Sequence, residues 1–139
     1  MKKQTILFLL FLLTAVPCTA FSQSAHELVG QARQHIGFKQ SENALDTLDK
    51  ALELNPAYAE AYYLKGVLYH YLLHRSEEAL REFNKAIVLN QKNCDYYFDR
   101  ATVFEKLGKE KEVVKDYKLA ARLGSNIAKQ VLKGKGIKW

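Results

Sequence analysis

The sequence predicts an all-α fold, an α-solenoid of three helix–turn–helix repeats with a C-terminal capping helix, preceded by a signal peptide. Three observations support this prediction. The chain aligns with itself at a spacing of about 34 residues, small and apolar residues recur with a helical period, and one uninterrupted apolar run lies near the N-terminus. Repeats of this length must stack, because a single copy cannot bury its own apolar face.

The N-terminal segment has the three parts of a secretory signal peptide. Lys2 and Lys3 precede an apolar run over residues 6–16, and the small and polar stretch "PCTAFSQS" follows. A membrane-spanning helix needs about 20 apolar residues, so the run is too short to be a permanent anchor. We therefore predict a cleaved signal peptide over residues 1–22 and a secreted, periplasmic protein.

The cleavage site has two alternatives. Ala20 and Ser22 fit a cut before Gln23, which we prefer, and a cut before Phe21 also satisfies the small-residue rule. Cys18 would be the attachment point of a lipoprotein, but the proline before it argues against lipid anchoring.

Internal alignment places three repeats at about residues 25–58, 59–93 and 94–127, in a repeat region of residues 23–124. Equivalent positions carry similar residues: Leu28, Tyr62 and Tyr97; Ala32, Gly66 and Ala101; Ala44, Ala79 and Val113; Leu48, Phe83 and Tyr117. The spacing changes from 34 to 35 between Tyr69 and Ala79, which predicts one extra residue in the turn around "LLHRS".

Each repeat contains two predicted helices, because its landmark residues recur at i, i+4 and i+7. Ser41 and Ser76 precede glutamate-containing turns and are predicted as N-caps of the second helices. Gly66 is predicted to face Ala79, so that small side chains let the two backbones approach closely. Residues 125–139 are predicted to form a capping helix and a basic tail.

This pattern resembles the tetratricopeptide repeat (TPR) family over roughly residues 25–123. The best match is "AEAYYLKGVLYHYLLHRSEEALREFNKAIVLN", residues 59–90, which carries the aromatic, glycine and alanine landmarks in order. The sequence departs from the family pattern where Ala32 and Ala101 replace glycine, Val113 replaces alanine, and Gln91 and Ser125 replace the closing proline. The resemblance implies a protein-interaction module.

The first helices of stacked pairs are expected to line a concave groove with an aromatic centre. The predicted function is that of a non-catalytic adaptor or scaffold of the cell envelope, which binds a protein or peptide in this groove. Some TPR proteins clamp a peptide carboxylate, but Asp95 and Asp99 stand at clamp positions here and would repel it. The predicted groove residues are Val29, Arg33, Tyr63, Val67, His70, Tyr71, Phe98 and Thr102.

The charge is unevenly distributed and leaves two alternatives open. Residues 23–99 carry a net charge of −3 and residues 100–139 carry +7. A secreted chain rarely meets nucleic acid, so the basic end favours an anionic membrane surface or an acidic partner. Its contact residues would be Lys133, Lys135, Lys138 and Trp139. Self-association through the open ends of the array is a third hypothesis.

The sequence contains no motif that predicts catalysis, a cofactor or a metal. His70 and His74 are four residues apart, but no third ligand completes a zinc site. Glu77, Glu78 and Glu82 are expected on a solvent-facing surface of their helix. Cys94 is the one thiol that remains after signal removal, and we expect it to be buried rather than reactive.

Overall fold

The computed structural model describes residues 24–139, and the predicted signal peptide with Cys18 lies outside this range. The described residues form helices and no strands, which confirms the all-α prediction. The helices are α1 (Ala25–Gly37), α2 (Ser41–Leu54), α3 (Ala59–Val67), α4 (Ser76–Leu89), α5 (Cys94–Lys106), α6 (Glu110–Arg122) and α7 (Asn126–Gly134). A π-helical segment, the π turn (Leu68–Leu72), continues α3.

Successive helices pack as antiparallel pairs, α1 with α2, α3 with α4 and α5 with α6. Each pair also contacts the next one, and α7 packs against α6. Ala128 and Leu132 bury the inner side of α7 in the core beneath it. The chain is therefore the predicted solenoid of three helical pairs closed by a capping helix.

Matching hydrogen bonds build the turns that enter the second and third pairs. The carboxamide oxygens of Asn55 and Asn90 each accept from the backbone N–H two residues on, at 3.1 Å. The hydroxyls of Tyr62 and Tyr97 donate to the backbone oxygens of Pro56 and Gln91, at 3.2 Å in both repeats. Gln91 therefore replaces proline without loss of this contact, because the acceptor is a backbone carbonyl.

The predicted N-caps Ser41 and Ser76 are wrong by one residue. Helices α2 and α4 begin at these serines, and neither preceding residue makes a side-chain cap. The chain enters both helices through a residue with positive φ, Lys39 at 57° and His74 at 55°. This turn directs the next residue's carbonyl into the helix, so the first intrahelical hydrogen bond starts earlier than the serine.

The small residues at the helix-pair interfaces are fully or almost fully buried, and Gly66 makes the tightest contact. A Cβ atom at Gly66 would lie 2.6 Å from two carbon atoms of the Phe83 ring. The nearest obstacle to a larger side chain at position 66 is therefore the Phe83 ring on α4, and the facing of Gly66 and Ala79 stays a prediction. The helical glycine costs about 1 kcal/mol in propensity, which the packed ring offsets.

The extra residue of the second repeat alters the helix before the turn in which the sequence placed it. The N–H of Leu73 donates to the carbonyl of Leu68 at 3.0 Å, a five-residue spacing that widens the last turn of the helix. The insertion is therefore absorbed by the π turn, because the left-handed residue that follows it, His74, has counterparts in Lys39 and Gly108 of the other two repeats. It changes the direction of side chains in Leu68–Leu72 rather than lengthening a loop.

Candidate functional site

The first helices of the three pairs lie side by side and share polar contacts across one surface. We call this surface, formed by α1, α3 with its π turn, and α5, the α1–α3–α5 face. The guanidinium of Arg33 on α1 pairs with Glu60 on α3, with Nε at 3.1 Å from Oε1. Tyr63 and Tyr71 reach from the second repeat to Asp99 on α5.

Asp99 is the centre of this face. Its Oδ2 accepts from the Tyr63 hydroxyl at 2.7 Å, and its Oδ1 accepts from the Tyr71 hydroxyl at 2.9 Å. The side chain is buried, with 9% of its surface exposed. Burial raises the pKa of Asp99, while the two tyrosine hydrogen bonds act in the opposite direction.

The two tyrosines stay protonated at neutral pH. Burial and the nearby Asp99 raise the pKa of Tyr63 far above its usual value, and burial raises the pKa of Tyr71 to about 12. Neither phenol therefore serves as a base. The arrangement is a carboxylate held under two phenol donors, which fixes the rings but offers no free acid or base at its surface.

The π turn brings His70 beside this centre. The imidazole is 9% exposed, its Nε2 lies 3.2 Å from the Thr102 hydroxyl, and its ring meets Tyr71 edge-on at 4.4 Å. Nδ1 has no hydrogen-bond partner among residues 24–139. Burial lowers the pKa of His70, and the charges of Lys106 and His74 lower it further, so the neutral ring is favoured.

A pocket of about 400 Å³ opens next to this cluster, between the first helices of the three pairs. Tyr63 and Tyr96 stack at its side with ring centroids 4.8 Å apart. The carboxamide of Asn93 accepts from the backbone N–H of Asp95 at 2.9 Å and fixes the start of α5. The pocket is lined by Arg33, Tyr58, Ala59, Glu60, Tyr63, Asn90, Asn93, Asp95 and Tyr96.

The structure brings together five of the eight predicted groove residues. Tyr63, His70, Tyr71 and Thr102 surround Asp99, and Arg33 lines the adjoining pocket.

The other three groove residues belong to the packing. Val67 packs in the cluster of Phe83 and Val103, and Phe98 packs on Tyr117 with centroids 5.4 Å apart. Val29 is 2% exposed in the core, so it lines no accessible groove; α3 packs on it because first helices of neighbouring repeats contact each other.

Two features escaped the sequence analysis. Tyr96 lines the pocket and stands where the other repeats have Glu27 and Ala61. This departure from the repeat pattern was the one sequence feature that could have pointed to it. Glu82, expected on the solvent side, is buried, with Oε1 3.1 Å from Lys85 and Oε2 lacking a partner in the described chain.

The basic C-terminal end is partly neutralised by its own chain. Lys135 lies 3.3 Å from a carboxylate oxygen of Glu105 and 4.0 Å from one of Glu110. Lys133, Lys138 and Trp139 are exposed. Within residues 24–139 no helix has both the length and the apolar character to cross a bilayer, and no three potential metal ligands cluster.

A stack of helical pairs with a polar and aromatic face along its first helices defines a helical-repeat interaction protein. Family models described as TPR repeat and tetratricopeptide repeat match residues 39–72 and 59–93. The chain therefore contains tetratricopeptide repeats, a type of helical repeat that serves in protein–protein interaction.

Solved structures share this architecture, whereas no curated protein matches the chain. The crystal structure of MamA is 26% identical, with a TM-score of 0.69 over 77% of this chain and 62% of MamA. YrrB, described as a TPR protein with an unusual peptide-binding site, is 30% identical, with a TM-score of 0.68 over 73% of this chain and 52% of YrrB. The present chain thus spans less than two thirds of either protein.

The first TPR of Spaghetti (RPAP3), bound to the HSP90 peptide SRMEEVD, has a TM-score of 0.74. It is 23% identical, covers 81% of this chain and is itself covered over 90% of its length. At this identity the likeness concerns the fold alone.

Proposed function

We propose that the protein is a non-catalytic adaptor of the cell envelope that binds an extended peptide or protein segment on the α1–α3–α5 face. The observation that carries this proposal is the 400 Å³ pocket in that face, whose walls carry tyrosines together with charged and carboxamide side chains. Ligand sites commonly combine an aromatic wall with a few placed polar groups at this volume. YrrB, with a comparable fold, has a peptide-binding site.

The aromatic wall is already ordered in the free protein. Tyr63 is held by Tyr96 on one side and by Phe83 on the other, with ring centroids at 4.8 and 5.9 Å, and its hydroxyl is fixed on Asp99. A peptide that packs on such a wall pays little side-chain entropy to order it. Pre-organisation of this kind supports binding more directly than exposed aromatic area alone.

An absence of catalysis is part of the proposal. The phenols near Asp99 stay protonated, and the carboxylate is engaged by both of them. His70 has no nucleophilic serine or cysteine among its hydrogen-bond partners in the described chain. The cluster therefore suits positioning of side chains rather than proton transfer to a substrate.

The location in the envelope follows from the predicted signal peptide over residues 1–22. Cys94 is compatible with an oxidising compartment, because it is partly buried and burial raises the pKa of its thiol. A thiol that ionises less readily reacts more slowly with disulfides. Export of a fusion of residues 1–30 to a reporter enzyme would test this point, and a reporter that remained in the cytoplasm would refute it.

The groove can be tested by filling it without deleting its contacts. Ala59 lines the pocket, whereas Ala57 is exposed in the preceding turn and does not line it. We expect Ala59→Trp to weaken binding of display-selected peptides by about tenfold or more, because the indole occupies the pocket. Ala57→Trp, the matched control, should bind as the wild type does.

Both variants must show the wild-type circular dichroism melt before their affinities are compared. Equal peptide affinity in Ala59→Trp and the wild type would place binding elsewhere and refute the proposed site.

A second candidate function, docking on a membrane surface, is favoured by the exposure of Trp139 next to exposed lysines. Because Lys135 is occupied by Glu105, the free contacts would be Lys133, Lys138 and Trp139. Sedimentation with phosphatidylglycerol-containing vesicles should drop when Lys133→Gln is combined with removal of residues 138–139. Unchanged sedimentation would exclude this function.

A further inference from the structure

We infer that the pocket of the α1–α3–α5 face receives a lysine or arginine side chain of the bound segment. This inference rests on the proposed peptide binding and specifies the chemical class of the partner. It follows from the charges in and beneath the pocket, from the rings that wall it, and from the groups available to hold the peptide backbone.

The pocket has an excess of negative charge. Arg33 and Glu60 line it together but form an ion pair with each other. Asp95 also lines it, is exposed, and has no lysine or arginine within 4.0 Å among residues 24–139. The one available charge at the surface of the pocket is therefore a carboxylate.

A second carboxylate lies directly behind the aromatic wall. Asp99 is bound to the Tyr63 hydroxyl, and the Tyr63 ring lines the pocket. Two phenol donors satisfy the ionised form of this group. Because a buried charge is screened by water less than an exposed one, Asp99 adds to the attraction that Asp95 exerts on a cation.

The walls are suited to a cationic chain with a long apolar stem. Tyr58 and Tyr63 line the pocket, and Tyr58 is held by a 3.0 Å contact between its hydroxyl and His26 Nδ1. The faces of tyrosine rings attract lysine and arginine, and their edges pack on methylene groups. A cavity of about 400 Å³ exceeds one side chain, so part of the backbone enters as well.

The carboxamides in the pocket can hold that backbone. The oxygens of Asn90 and Asn93 accept from the N–H groups of Lys92 and Asp95, at 3.1 and 2.9 Å. This leaves the amide N–H groups of both side chains as donors for peptide carbonyls.

An acidic segment is the opposite alternative, and the same charges oppose it. The peptide SRMEEVD in the Spaghetti structure carries three acids. Here an acidic side chain would meet Asp95 at the surface and Asp99 behind the wall, while Arg33 is engaged by Glu60. Like charges at close range cost binding energy and serve to exclude partners.

The Arg33–Glu60 pair provides a test with a built-in control. Both variants, Arg33→Gln and Glu60→Gln, break the same ion pair, so a purely structural effect should move both affinities in one direction. Charge matching predicts opposite directions. Arg33→Gln frees Glu60 and should strengthen binding of a cationic peptide, whereas Glu60→Gln frees Arg33 and should weaken it.

The probes are end-capped peptide libraries that differ at one central position, fixed as lysine, norleucine or glutamate. Binding to residues 23–139 is measured by fluorescence polarisation at low and high salt. We expect the wild type to favour the lysine library over the norleucine library by about tenfold at low salt, and less at high salt. Arg33→Gln should widen this ratio and Glu60→Gln should reduce it to about one.

Each remaining outcome decides a different question. A preference for glutamate, or ratios that move in the same direction in both variants, would overturn the cationic partner. The proposed function would stay intact in that case if Ala59→Trp still weakens binding. An absence of binding to every library, or binding that Ala59→Trp does not reduce, would overturn the proposed function as well.

Discussion

The second and third helical pairs occupy equivalent positions in the repeat, yet they treat a buried acid differently. In the third pair Asp116 is 1% exposed, and both of its oxygens accept from the Arg100 guanidinium, at 2.7 and 2.9 Å. In the second pair Glu82 is almost as buried, but one of its oxygens lacks a partner in the described chain. The third pair therefore satisfies a polar core position that the second leaves incomplete.

The first helices of the two pairs also differ in regularity, and again the second pair is the less favourable one. Helix α5 is regular and is followed by Gly108, for which φ of 69° involves no Cβ clash. Helix α3 widens into the π turn and is followed by His74, a non-glycine residue in a left-handed conformation. The difference teaches that the second pair contributes His70 and Tyr71 to the site at a cost in stability, while the third pair supplies a firmer support.

The largest expected effect on stability comes from removing Asp116, the buried acid whose two oxygens both accept hydrogen bonds. Asp116→Ala should lower the free energy of unfolding by about 3 kcal/mol, because it leaves the largely buried Arg100 guanidinium with Asn84 as its remaining partner. The equivalent Glu82→Ala should cost about 1 kcal/mol, since its acid is only half-satisfied. Urea unfolding of both variants measures the comparison, and equal losses would contradict it.

A smaller effect is expected at the close contact of the second pair. Gly66→Ala should destabilise the protein by about 2 kcal/mol, although alanine is the better helix former, because the new Cβ would overlap the Phe83 ring. Adding Phe83→Leu should recover part of the loss. Thermal unfolding followed by circular dichroism gives both values, and a stabilised single variant would show that the ring moves away freely.

The smallest effect is a gain. His74→Gly should raise the free energy of unfolding by about 1 kcal/mol, because glycine adopts positive φ without the Cβ clash of histidine. In the third pair Gly108→Ala should lose a similar amount. The two denaturation midpoints, measured against the wild type, should move in opposite directions; a loss in His74→Gly would indicate that the imidazole itself stabilises the turn.

The repeat spacing allowed the fold to be predicted from the sequence. Landmarks such as Leu48 and Phe83 mark the same point of two helices, and both are fully buried because equivalent positions pack on equivalent neighbours. The single-residue change of spacing was also visible. Its form was not, because a π turn and a longer loop leave the same trace in an alignment.

The site was less accessible to the sequence than the fold. Val29, Tyr63 and Phe98 are equivalent, but the short Val29 is covered by α3, whereas Tyr63 extends to the pocket wall. A helical wheel gives the direction of a side chain, and it does not say how far the neighbouring repeat covers it. Asp99 became central only when two tyrosines from another repeat met it.

The π turn has a consequence for how such an array can acquire new specificity. One additional codon at the end of a first helix turns the following side chains by about 100°, while the next helix keeps its place against the core. A change in gene length by three bases, usually regarded as disruptive in a helix, here brings an imidazole and a phenol to the α1–α3–α5 face. Repeat proteins can thus diversify by adding a residue as well as by exchanging one.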